Sequence, residues 1–86
     1  MSKADKLLAR FLSKPRDFTF DELRRLLSSF GYEEARTGKT GGSRVAFING
    51  QRKSIIRLHR PHPSPVLKEY QVDDVAEGLR KAGVIK

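Results

Sequence analysis

The sequence predicts a small α+β fold: a three-stranded antiparallel sheet with helices on one face. Three observations carry that prediction. Apolar residues recur at helical spacing up to Phe30, the period then changes to two, and helical spacing returns from Val72. An antiparallel sheet covered on one side buries one face and leaves the other wet.

The elements follow in order. In residues 3–13, Ala4, Leu7, Leu8, Phe11 and Leu12 make an amphipathic stripe, and Pro15 stops the helix. Thr19, followed three residues later by Glu22, is a capping box, and Phe18 with Leu23 supplies the matching hydrophobic staple. A second helix over 20–30 then carries Phe20, Leu23, Leu26, Leu27 and Phe30 on one face, and Gly31 closes it. Residues 32–36 read as a short strand. In residues 44–49, Val45 and Phe47 take one face while Arg44, Ala46 and Ile48 take the other. Asn49-Gly50 signals a hairpin turn, since both residues tolerate positive φ. A returning strand over 53–59 turns Ser54, Ile56 and Leu58 inward and Lys53, Ile55, Arg57 and His59 outward. Pro61, Pro63 and Pro65 prevent any regular element from continuing there. Val72, Val75, Ala76, Leu79 and Ala82 form the last helical stripe, closed by Gly83.

At 86 residues the chain is long enough for one small domain, and no linker divides it. With no cysteine it has no disulfide, thiolate metal site or thiol nucleophile. The first five residues mix both charge signs, unlike a signal peptide, and no segment has the apolar length to span a bilayer. These features lead us to expect a soluble, cytoplasmic protein.

Eighteen Lys and Arg against ten Asp and Glu give a net charge of +8. The excess is concentrated in one segment. Residues 36–60 hold Arg36, Lys39, Arg44, Arg52, Lys53, Arg57 and Arg60 and no carboxylate, so the remainder is nearly neutral. One reading is a solvated, solubilising face. The other, which such complete segregation favours, is a surface for nucleic acid.

The glycine-rich stretch 36–44, RTGKTGGSR, contains the tripeptide GKT. It is not a Walker loop: Glu33 stands where the leading glycine belongs, and a strand follows instead of a helix. The quartet Gly38 to Gly41 also resembles the KH clamp, but that clamp joins two helices and this loop joins two strands. What remains is a flexible basic connection.

A longer set of motifs, in a fixed order, resembles the HicA toxin family. They are residues 26–32 (LLSSFGY), 42–47 (GSRVAF), 60–67 (RPHPSPVL) and 79–85 (LRKAGVI). The resemblance implies a fold like the double-stranded-RNA-binding domain (helix, three strands, helix), with residues 20–85 as the core of one domain spanning 1–86 and residues 3–13 as an added helix. It also implies a type II toxin that cleaves messenger RNA without a metal or other cofactor and is neutralised by a HicB-like antitoxin. One position departs. The family's Gly-Ser-His is here Gly42-Ser43-Arg44, and arginine, always protonated, cannot act as the base.

Histidine suits both proton roles of such a cleavage because its pKa lies near neutrality. The chain has two, His59 and His62, and these are the candidate catalytic residues. Arg44, Lys39, Arg36, Arg57, Lys53, Arg60 and Arg52 are the candidate RNA-binding residues. Each histidine also has a structural reading, His59 as a strand end and His62 as a loop residue held between prolines. A metal site is not expected, since no cysteine is present and the nearest following carboxylate is Glu69. A non-catalytic RNA-binding module, or an inactive toxin whose basic face meets RNA or an antitoxin, is the alternative. The turn Gln71-Val72-Asp73-Asp74 repels phosphate, which leaves the strand face and the histidine loop as the expected contacts.

Overall fold

In a computed structural model, residues 3–36, 44–61 and 64–85 are described. The order is α1 (Lys3–Leu12), α2 (Phe20–Ser29), β1 (Glu33–Arg36), β2 (Arg44–Asn49), β3 (Ser54–His59) and α3 (Glu69–Lys81). The strands form one antiparallel sheet in the order β1-β2-β3, so β2 is central and β3 is an edge. The expected α+β architecture is the one observed.

The start of α2 follows from the capping box. Thr19 accepts from the Glu22 amide at 3.2 Å, and Glu22 Oε1 accepts from the Thr19 amide at 3.0 Å. Phe18 and Leu23, the staple pair, are both fully buried. The two glycine-closed helices end alike. After α2, Gly31 sits at φ 92°, with Tyr32 N–H donating to Leu27 and Gly31 N–H to Ser28. After α3, Gly83 sits at φ 76°, with Val84 N–H donating to Leu79 and Gly83 N–H to Arg80. This pair of bonds satisfies carbonyls that the helix itself cannot.

Val45 and Phe47 of β2 and Ile56 of β3 face the helices and join Leu23, Leu26, Leu27, Val72, Val75 and Leu79 in one core. That core includes Phe11 of α1, whose ring meets Phe18 edge-on with centroids 5.2 Å apart. Arg10 forks onto Glu22 at 3.0 and 3.1 Å and onto Asp17 at 3.0 Å, tying α1 to the cap of α2. Among the described residues, no helix is long and apolar enough to cross a membrane.

The β2–β3 turn differs from expectation. Asn49 is the last residue of β2, paired with Ser54, and the loop is residues 50–53. The positive φ of 51° falls on Lys53, which therefore precedes β3 instead of starting it. The cause is the Asn49 side chain, which is buried. Its Nδ2 donates to the Phe30 carbonyl at 3.0 Å, and its Oδ1 accepts from the Arg52 amide at 3.1 Å. A side chain held on both sides keeps its residue in the strand and displaces the turn by one position.

Candidate nucleic-acid interface

The outer face of the sheet is built by alternation along the strands, with the small Ala46 only 3% exposed within it. With Val45, Phe47, Leu58 and Ile56 turned to the helices, Arg44, Ala46 and Ile48 of β2 and Ile55, Arg57 and His59 of β3 take the other side. Register then pairs Arg44 with His59, Ala46 with Arg57, and Ile48 with Ile55. The face is therefore polarised. The turn end is apolar, with Ile48 41% and Ile55 51% exposed, and the far end carries two arginines and a histidine.

The backbone orientation of β3 follows from one bond. Gln71 Nε2 donates to the His59 carbonyl at 2.7 Å, so that carbonyl points away from β2. Backbone groups alternate along an antiparallel ladder, so Ile55, Arg57 and His59 turn their N–H and C=O groups to the free edge. Arg44 and His59 thus form a pair without mutual backbone hydrogen bonds, the closer kind, with Cβ atoms about 4.5 Å apart. Arg57 is the diagonal neighbour of Arg44 on the same face.

Arg44, Arg57 and His59, with Val45 and Leu58, line an open recess of about 440 Å³. Among the described residues its polar lining is cationic or ionisable to a cation, with no carboxylate. Such a recess can bind a phosphate through the forked guanidinium donors, with an imidazole beside it.

The other expected site residues are distributed differently. Arg52 donates from Nη1 to the carbonyls of Ala82 and Gly83 at 3.2 and 3.1 Å, at the end of α3. Lys53 is exposed in the hairpin loop, at the opposite end of β3 from His59. Arg60 lies with its guanidinium carbon 5.2 Å from the ring centroid of Phe20. Arg36 ends β1, but its side chain lies outside the described residues, as do residues 37–43, which include Lys39, and His62.

The proline-flanked segment is anchored at both ends. Gln71 holds His59 at its entry. At its exit Phe20 N–H donates to the Pro65 carbonyl and Leu67 N–H to Phe18, both at 2.8 Å. Sequence reasoning missed Gln71, whose only signal is a position three residues after Lys68, where its Oε1 accepts from the Lys68 amide at 3.0 Å. It also missed Tyr70, and it read Asp74 only as repelling phosphate; both line a second recess between β3 and α3 with Arg57 and His59. Among the described residues, no group of three or more histidines or carboxylates is placed to hold a metal ion.

The family model described as HicA toxin of bacterial toxin-antitoxin matches residues 20–84. The match runs from the first residue of α2 to the turn after α3 and leaves α1 outside it. No curated protein and no solved structure matches the chain.

Proposed function

The chain belongs to the HicA toxin family of bacterial toxin–antitoxin systems, and from that premise we propose that it is an RNA-directed toxin that cleaves messenger RNA without a metal ion. The observation that supports this most is the pairing of Arg44 with His59 across two strands, with Arg57 beside them on the same face. A phosphodiester seated on the two guanidiniums would place its ribose next to an imidazole.

In the reaction we propose, a neutral histidine takes the proton of the ribose 2′-hydroxyl and the 2′-oxygen attacks phosphorus. The bond to the 5′-oxygen breaks, and a second, protonated group returns a proton to that oxygen. The products are a 2′,3′-cyclic phosphate and a 5′-hydroxyl. His59 and His62 take the two proton roles, and Arg44, Arg57 and Lys39 carry the charge that develops on the phosphoryl oxygens. Arg36, Lys53 and Arg60 extend the basic surface along the RNA, while Arg52 is held at the end of α3. The toxin acts in the cytoplasm as one domain over residues 1–86, and a HicB-like antitoxin neutralises it by covering the basic face.

The test is incubation of purified protein with a long single-stranded RNA in EDTA, beside the double variant His59→Ala, His62→Ala. Cleavage by the wild type and a loss of about 10²-fold or more in the variant is the expected result. Equal cleavage by both proteins would remove the histidines from the mechanism. A second reading, RNA binding without cleavage, is favoured by Arg44 itself, which stands where the family pattern has a histidine. It predicts salt-sensitive binding and no product.

A further inference from the structure

We propose that the recess between β3 and α3 is a nucleobase subsite, which stacks one base of a single-stranded RNA on Tyr70 and selects bases that carry an exocyclic amino group. The proposal rests on the RNA-directed reading above and adds a base preference to it.

The two recesses share Arg57, Leu58 and His59, so the end of β3 is a wall between them. Their chemistry differs. The outer recess is lined by cations and suits a phosphate. The inner one, about 270 Å³, is lined by Tyr70 and Asp74 of α3 and by Ile55, Arg57 and His59 of β3. The carboxylate of Asp74 repels phosphate, so the groups of a nucleotide would divide between the two recesses, phosphate outside and base inside.

Tyr70 is the most exposed large apolar side chain described, at 57%, whereas Tyr32 is buried with its hydroxyl donating to Ser54 Oγ at 2.9 Å. An exposed aromatic ring beside a cationic strand is the arrangement by which single-stranded nucleic acids are held, with bases stacking while cations follow the backbone. The polar groups needed to read a base edge are present. Arg57 turns its backbone N–H and C=O to the free edge, as the His59 carbonyl shows by accepting from Gln71. Asp74 makes no ion pair with a described residue, unlike Asp73 beside it, which pairs with Lys14 at 3.0 Å. A carboxylate accepts from the amino groups of adenine, cytosine and guanine. Uracil has none. A protein strand added to the same β3 edge would also use these backbone groups, but it has no need of an exposed ring and a carboxylate side by side on the facing helix.

The test measures binding of ten-nucleotide 2′-fluoro oligonucleotides, which lack the attacking hydroxyl and stay intact. Poly-A, poly-C, poly-U and an abasic chain are compared at several salt concentrations. The wild type is expected to bind poly-A and poly-C more tightly than poly-U, and poly-U more tightly than the abasic chain. Tyr70→Ala should weaken binding of base-bearing chains by about 10- to 100-fold while leaving the salt dependence unchanged, and Tyr70→Phe should retain it. Asp74→Asn should narrow the gap between poly-C and poly-U. Both side chains are exposed, so equal thermal unfolding of variants and wild type is the control for folding. Equal binding of abasic and base-bearing chains by the wild type, or wild-type behaviour of both variants, would overturn the subsite while salt-sensitive binding kept the RNA reading. If the wild type bound no oligonucleotide, the RNA reading would fail and the subsite with it.

Discussion

Gln71 is 4% exposed, and its amide joins two elements: Nε2 donates to the His59 carbonyl and Oε1 accepts from the Lys68 amide. The end of the edge strand is thereby fixed to the start of α3. Lys68 cannot cap that helix itself, because an ammonium has no acceptor for a backbone N–H. Gln71 supplies half of a capping box, and its other half-amide orients the strand that carries the candidate histidine.

Gln71→Met keeps the approximate shape and removes both hydrogen bonds. Leaving these buried groups without partners is expected to cost about 1–3 kcal/mol, measured as a lowered midpoint in urea at unchanged slope. In an RNA-cleavage assay kcat should fall by more than KM rises, since the bond orients His59 and contacts no substrate. Equal stability and equal kcat would show that the carbonyl finds water instead.

Arg52 separates a structural cation from an RNA-binding one. Its guanidinium meets the Ala82 and Gly83 carbonyls, where the partial negative charge of a helix end lies. Arg52→Ala is expected to lower stability by about 0.5–1 kcal/mol. RNA affinity should then fall far less than in Arg57→Ala, whose side chain lies on the open face. A drop as large as that of Arg57→Ala would return Arg52 to the RNA interface.

Glu22 makes acid stability testable. The guanidinium of Arg10 holds the Glu22 carboxyl below its usual value of 4.5, burial opposes that shift, and the Thr19 amide adds to it. A carboxyl depressed in the folded state contributes stability above its unfolded pKa and loses that contribution as pH falls through its folded pKa. Glu22→Gln retains the N3 amide that serves the capping box and removes the charge. The variant should therefore be less stable than wild type at pH 7, with the gap closing below pH 4.5. Because Arg10 is partly exposed, the gap should also shrink with added salt. Equal stability of variant and wild type at pH 7 would assign the role of Glu22 to the cap alone.

These contacts mark what the sequence disclosed. Thr19, Glu22, Gly31 and Gly83 act on neighbours within a few residues, so the starts and stops they encode could be read directly. Alternation in residues 44–49 and 53–59 likewise puts Arg44, Arg57 and His59 on one face. The hidden features depend on remote partners. Asn49 reads as a turn residue until Phe30, nineteen positions away, accepts from its side chain. Arg52 reads as one more cation until the end of α3 comes within reach, and Arg60 until Phe20 does. Gln71 is a polar residue on the buried face of α3, in line with Val75 and Leu79, and Tyr70 lies on the exposed side, so a stripe read from apolar residues marks neither. Only the packing of α3 beside β3 gives them a place.

Arg44→His tests the departure that the family resemblance implies at this position. Position 44 faces His59 on the neighbouring strand, so the substitution would set two imidazoles side by side with Arg57 as their diagonal cation. Arginine stabilises phosphate charge without exchanging a proton, whereas a neutral imidazole is a base near pH 7. General-base catalysis is worth about 10²–10⁴-fold, and part of that gain would be offset by the loss of one phosphate contact. The expected outcome is faster RNA cleavage in EDTA together with weaker RNA binding and a shallower salt dependence. Slower cleavage would mean that the arginine is already part of a working site, with His59 and His62 supplying both proton transfers. No cleavage by either protein, with binding intact, would favour the reading in which this fold holds RNA without cutting it.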